Sequence, residues 1–118
     1  MSTAATSFNP AIGRAVRTGN VLIGELVKLA GGHGDLLFHE ERSWASITFT
    51  GARHRVMIAF NGLSAVAGGD AMSAALAEHE FSIPGWLVAD AAVGATDPRH
   101  GVNPRLTVTA ELLLVESD

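Results

Sequence analysis

The segment from Arg105 to Glu116 constrains this chain more than any other. Leu106, Val108, Ala110, Leu112 and Leu114 occupy one parity, and Arg105, Thr107, Thr109, Glu111 and Leu113 the other. A period of two sends successive side chains to opposite sides of an extended backbone, so the segment reads as a strand with one face against a core. A helix cannot present that pattern. The rest of the chain must supply strands to pair with it and a layer to cover its apolar side.

Two alternating runs lie upstream. Trp44-Ala45-Ser46-Ile47-Thr48-Phe49-Thr50 is followed by Gly51-Ala52-Arg53 as a turn, and His54 to Phe60 alternates again, which predicts a hairpin. Pro84-Gly85 then introduces a strand from Trp86 to Ala95. Its connection to the final strand, Thr96 to Pro104, is polar and long, and so belongs on the surface.

Helical signals precede each strand pair. Residues 1–7 read as a tail, and Asn9-Pro10 offers a side-chain cap followed by a residue whose missing N–H costs nothing at a helix start. Ile12, Val16, Ile23, Leu26 and Ala30 recur at helical intervals, Thr18-Gly19-Asn20 is the weak point of that helix, and Gly31-Gly32 ends it. A second helix is expected from Leu63 to Glu80, with Met72, Ala75, Leu76 and His79 along one stripe and Gly68-Gly69-Asp70 as a place where it can divide.

The order is αββαββ. With 118 residues the chain supports one core, so residues 8–118 are expected to form a single domain. A composition of 47% hydrophobic and 17% charged residues excludes a disordered chain. No apolar run approaches the ~20 residues of a membrane-spanning helix. Two helices cannot cover both faces of a four-stranded antiparallel sheet joined by hairpins, so both should pack on one face. The expected fold is an α+β two-layer sandwich, a circular permutation of the ferredoxin-like βαββαβ order.

The other face of that sheet is then uncovered. With the final strand as reference, Ala45, Ile47 and Phe49, then Val56, Ile58 and Phe60, then Leu87, Ala89, Ala91 and Val93 should face the helices. Trp44, Arg55, Met57, Trp86, Val88 and Asp90 fall on the outer face, which therefore carries both tryptophans. That is too apolar for a solvated sheet, and contiguous apolar area marks a contact surface. The partner expected there is a second copy of the chain, since two-fold homodimers are the commonest assembly. Another protein docking on Trp44 and Trp86 is a variant of the same reading.

Chemistry has weaker support. Asp90, flanked by Val88 and Ala92, is the charge best placed for an acid–base role, with an ion pair to Arg55 as the simpler account. A small enzyme or ligand-binding protein using Asp90, His54 and Arg55 at a dimer seam is the alternative reading. Arg53-His54-Arg55 otherwise reads as a solvated turn. The five histidines show no metal-ligand spacing: His39 and Glu41 share a face of an extended segment, His79 fits a partly buried hydrogen-bonded role, and His33 sits in a glycine-rich helix exit. Ser64 and Ser73 lack a nucleophile elbow, and the loop bearing Arg99 and His100 is at most an anion contact. No metal and no cofactor is expected. Eight basic against twelve acidic residues give a net charge of −4 without a basic block, so nucleic acid is not an expected partner, nor is a membrane. The absence of cysteine and of a secretion signal points to the cytoplasm.

Two resemblances add to this. The runs Glu41 to Ser46, Thr48 to Arg55, and Glu78-His79-Glu80-Phe81 leading to Pro84-Gly85-Trp86-Leu87-Val88-Ala89-Asp90 resemble small uncharacterised proteins of alphaproteobacteria, sphingomonads in particular, over roughly residues 38 to 116. That likeness implies no activity. The chain is also similar to tail-completion proteins of tailed phages and gene-transfer agents. The shared features are a leading helix, a strand ending near a His-Arg pair, here His54-Arg55, an alanine-rich helix, and Gly85-Trp86-Leu87-Val88-Ala89-Asp90; the Pro-Tyr-rich segment those proteins carry before the first strand is absent here. The second resemblance implies ring assembly.

Overall fold

The computed structural model describes residues 10–117, with side chains from Arg17 onward. The expected tail at residues 1–7 and the expected cap Asn9 lie outside the described residues. The elements are α1 (Pro10–Leu29), β1 (Asp35–Ala45), β2 (Thr50–Asn61), α2 (Leu63–Ala75) continuing into a 3₁₀ turn (Leu76–Glu78), β3 (Trp86–Arg99) and β4 (Arg105–Glu116). The four strands form one sheet in the order β1-β2-β4-β3, antiparallel throughout. Moving β4 to the front of the chain gives βαββαβ with that strand between β2 and β3, the permuted ferredoxin-like arrangement.

One core lies between the helices and the inner face of the sheet. Leu22, Leu26 and Ala30 of α1, Met72 of α2 and Leu76 beyond it meet Val56, Ile58 and Phe60 of β2 and Leu106, Val108, Ala110, Leu112 and Leu114 of β4. At ~25 cal/mol per Å² of apolar area buried, this layer supplies most of the driving force for folding. Leu22 was not in the expected stripe, and Ile12 and Val16 precede the described side chains.

Neither helix divides. A Cβ on Gly19 would lie 2.8 Å from the His39 ring, and one on Gly69 would lie 2.6 Å from the Phe60 ring. Both glycines thus let a helix sit close over the sheet, which offsets the ~1 kcal/mol a helix loses by holding glycine instead of alanine. Gly31 and Gly32, with φ of 71° and 91°, do end α1.

Two strands depart from expectation. β1 occupies residues 35–45, ahead of the segment expected from its alternation, and Ser46–Phe49 form the hairpin turn instead. The cause is Ser46: its amide donates to the Phe49 carbonyl at 2.8 Å, while its hydroxyl accepts from the Phe49 amide at 3.0 Å. A side chain that satisfies local backbone groups competes with the strand ladder. Ile47 and Phe49, expected inward, are consequently exposed. Arg53-His54-Arg55 lies within β2 rather than in a turn. β3 runs on to Arg99, so the polar connection shortens to residues 100–104.

The sheet and its single helical layer measure 49 × 40 × 20 Å, and 20 Å is the depth of two layers at ~10 Å each. Among the described residues no helix is long and apolar enough to cross a membrane.

Candidate functional site

Cross-strand partners in an antiparallel sheet share a face, so the register decides which side chains stand on the uncovered side. Two rows cross its middle. In one, Glu40 of β1, Arg55 of β2, Glu111 of β4 and Ala92 of β3 lie side by side; in the next, Arg42, Arg53, Leu113 and Asp90 do. Together they floor a shallow groove of about 300 Å³. Apolar groups flank it. Trp44 pairs with Gly51 and Leu87 with Val115 at one end, and Phe38 pairs with Met57 and Ala95 with Thr109 at the other.

The charges of the groove are incompletely matched. Glu40 accepts from Arg42 at 3.3 Å and faces Arg55 at 3.9 Å, so one carboxylate serves two guanidinium groups. Arg53 stands directly across from Arg42, and among the described residues no carboxylate lies within ion-pair distance of it. Asp90 and Glu111 likewise have no cation within that distance among the described residues. Within the groove the basic groups are gathered on the β1–β2 half and these two carboxylates on the β3–β4 half; Arg99 and Arg105 lie farther along β3 and β4.

Several expected positions are corrected. Trp86 and Val88 were expected on the outer face, yet both pack against the core beside Ala91 and Val93. The register slips between Val88 and Asp90, leaving Ala89 as an extra residue. One inserted residue in a period-two strand reverses the side to which everything before it points. Asp90 keeps its outward place because it lies beyond the bulge; Leu87, expected inward, is 60% exposed. Trp44, Arg55 and Met57 stand on the outer face as expected. The ion pair expected between Asp90 and Arg55 does not form, because β4 separates their strands and Arg55 turns to Glu40.

His54 leaves the grouping with Asp90 and Arg55 altogether. It belongs to the inner parity of β2 and is 2% exposed, with its ring Nδ1 2.9 Å from His39 Nε2. One ring donates and the other accepts, which requires that the pair not be doubly charged. Burial, reinforced by the nearby His39, lowers the His54 pKa from 6.5 to about 4. The imidazole that the enzymatic reading needs in the groove therefore sits on the far side of the sheet, under α1. His79 is partly buried, 3.5 Å from Glu25 and edge-on to Phe81, in the structural role expected of it. Arg99 is exposed and pairs with Asp97 at 3.6 Å. No group of three or more His, Asp or Glu side chains able to hold a metal occurs among the described residues.

Glu111 and Leu113 stand on the outer face with Arg55 and Asp90 as their parity predicts, whereas sequence reasoning missed Glu40, Arg42 and Arg53 as members of the same surface. The sole signal for them was strand parity, and combining it across β1, β2 and β4 required the register.

No protein-family model matches the chain, and no curated protein matches it. Among solved structures the fold is similar to a chain of the virion of a native gene transfer agent particle, with a TM-score of 0.57 and 16% sequence identity over 76% of this chain and 84% of that one. The likeness is one of fold. It agrees with the resemblance to gene-transfer-agent proteins at that level, whereas the alphaproteobacterial resemblance has no counterpart in these comparisons.

Proposed function

We propose that the protein is a non-enzymatic assembly module that binds through the outer face of its sheet, first of all to a second copy of itself. The observation that carries this reading is the outer face: a full sheet face left bare by the helices, with apolar side chains at both ends and Arg53, Asp90 and Glu111 unmatched between them. A face built only to meet water has no need of Trp44, Phe38, Met57 and Leu87 together. Likeness in fold to a component of a virion particle, a body made of associating chains, supports an assembly role. The protein acts without cofactor, in the cytoplasm, by this reading.

Sedimentation velocity at micromolar concentration tests it. The wild-type chain is expected to sediment as a dimer or larger assembly, and Leu113→Arg, at the centre of the face, to shift it to the monomer while leaving the circular-dichroism spectrum unchanged. A wild-type monomer, or an assembly indifferent to Leu113→Arg, contradicts the proposal. A monomer that instead binds a different protein through this face would move the partner to that protein.

A further inference from the structure

The arrangement of side chains on the outer face does more than invite a partner; it selects one way for two copies to meet. Resting on the assembly reading above, we propose that two copies stack outer face to outer face about a two-fold axis parallel to the strands, with Arg42 and Arg55 of each copy over Asp90 and Glu111 of the other.

A two-fold axis parallel to the strands, running above the boundary between β2 and β4, lays β1 over the β3 of the other copy and β2 over its β4, while each residue keeps its height along the strand. The row Arg42, Arg53, Leu113, Asp90 then meets itself reversed, so Arg42 lies over Asp90 and Arg53 over Leu113. The row Glu40, Arg55, Glu111, Ala92 does the same, and Arg55 lies over Glu111. Each of the two free carboxylates of one copy receives a guanidinium of the other, and by symmetry the contact forms in both directions. Arg42 and Arg55 share only Glu40 within their own chain.

The rival axis, perpendicular to the strands, lays each strand over its own counterpart with the two rows exchanged. It sets Arg42 over Glu40 but brings Arg55 over Arg53, and it leaves Asp90 over Ala92 and Glu111 over Leu113, so neither carboxylate of the β3–β4 half receives a cation. The parallel axis also sets Asp35 over Asp97 of the other copy, whose carboxylate Arg99 already holds at 3.6 Å, but it matches both carboxylates of the groove where the rival matches neither, so electrostatics favours it.

Shape points the same way. At the Phe38 end of the face the β1–β2 half is bulky and the β3–β4 half is small: Phe38 and Met57 stand beside Thr109 and Ala95. The parallel axis sets Phe38 over Ala95 and Met57 over Thr109, filling low ground with high, and Trp44 over the exposed Leu87. The area suffices as well. Four strands at ~4.8 Å spacing and about eleven residues at ~3.3 Å give roughly 700 Å² of projected face per copy, close to the ~800 Å² per partner of a standard interface.

Charge exchange between two variants tests this arrangement. Arg42→Glu with Arg55→Glu makes one chain acidic on the β1–β2 half, and Asp90→Arg with Glu111→Arg makes another basic on the β3–β4 half. Each alone confronts like charges across the axis and is expected to dissociate at least ~30-fold more readily than wild type by sedimentation equilibrium. An equimolar mixture restores every opposed pair and is expected to form a heterodimer within a few-fold of wild-type affinity. The single substitutions Arg42→Glu and Asp90→Arg repeat the test more gently, with circular dichroism reporting that each chain is folded. If wild type dimerises and Leu113→Arg disrupts it, but the mixture stays monomeric, the outer face is the interface and the proposed axis is wrong. If outer-face substitutions leave the wild-type assembly untouched, the assembly reading itself falls.

Discussion

Val56, Ile58 and Phe60 of β2 are at most 1% exposed, while Arg53 and Arg55 on the opposite side of the same strand stand in solvent. On its inner side this strand is answered within the chain: Val56, Ile58 and Phe60 by the helices, His54 by His39. On the outer side the accounts stay open, with charges that lack opposites and apolar groups that lack cover. The contrast teaches that one strand divides its labour by parity, folding with its even residues and presenting its odd ones on the face proposed to bind a partner.

That division yields expectations of graded size. Truncating the inner side should cost most. Phe60→Ala empties a fully buried site and is expected to lower stability by about 3–5 kcal/mol in denaturant titrations. A cost below ~1 kcal/mol would mean that the inner side does not hold the fold as described.

The buried histidine gives the inner side a pH signature. The folded pKa of His54 is about 4 against 6.5 unfolded, so the unfolded chain takes up a proton first as pH falls. Its contribution is complete above pH 6.5 and drains away between 6.5 and 4, by about 3 kcal/mol in all at 1.36 kcal/mol per unit. Stability measured at pH 7 and at pH 4.5 should differ more in wild type than in His54→Gln. Equal slopes would show that His54 is not buried neutral.

Next in size are the glycines of α1. Gly24→Ala, with open space around the new methyl, should gain up to ~1 kcal/mol from helix propensity. Gly19→Ala should lose about 1–2 kcal/mol despite the same propensity, because its methyl meets a His39 ring already tied to His54. Thermal melts of the two variants that moved in the same direction would contradict the close approach of α1 to β1.

The smallest effect on folding belongs to the outer side. Arg53→Ala should change the stability of the isolated subunit by no more than ~0.5 kcal/mol, as expected of a surface position. Relief of the Arg42–Arg53 opposition makes a slight gain the expected sign.

Much of this arrangement is legible in the sequence. The apolar parity of β4 and of Val56, Ile58 and Phe60 reads directly from their alternation, and it fixes the helical side of both central strands. The order αββαββ and the one-sided packing followed from counting elements. Three local features escaped because their causes are not periodic. A single hydroxyl, that of Ser46, converts an alternating run into a turn. An extra residue at Ala89 sends Trp86 beneath the helices while Trp44 stays outside. Arg55 and Asp90, both correctly read as outward, are kept apart by strand order, which no pattern within one strand records. The groove shared all three obstacles, so its members were visible singly and its composition was not.

The central claim is that the outer face closes on a second copy, and sedimentation of the wild-type chain beside Leu113→Arg tests it most directly. The account predicts a wild-type dimer at micromolar concentration and a folded monomer for the variant. Matching sedimentation of the two chains, whether both monomeric or both associated, would contradict it.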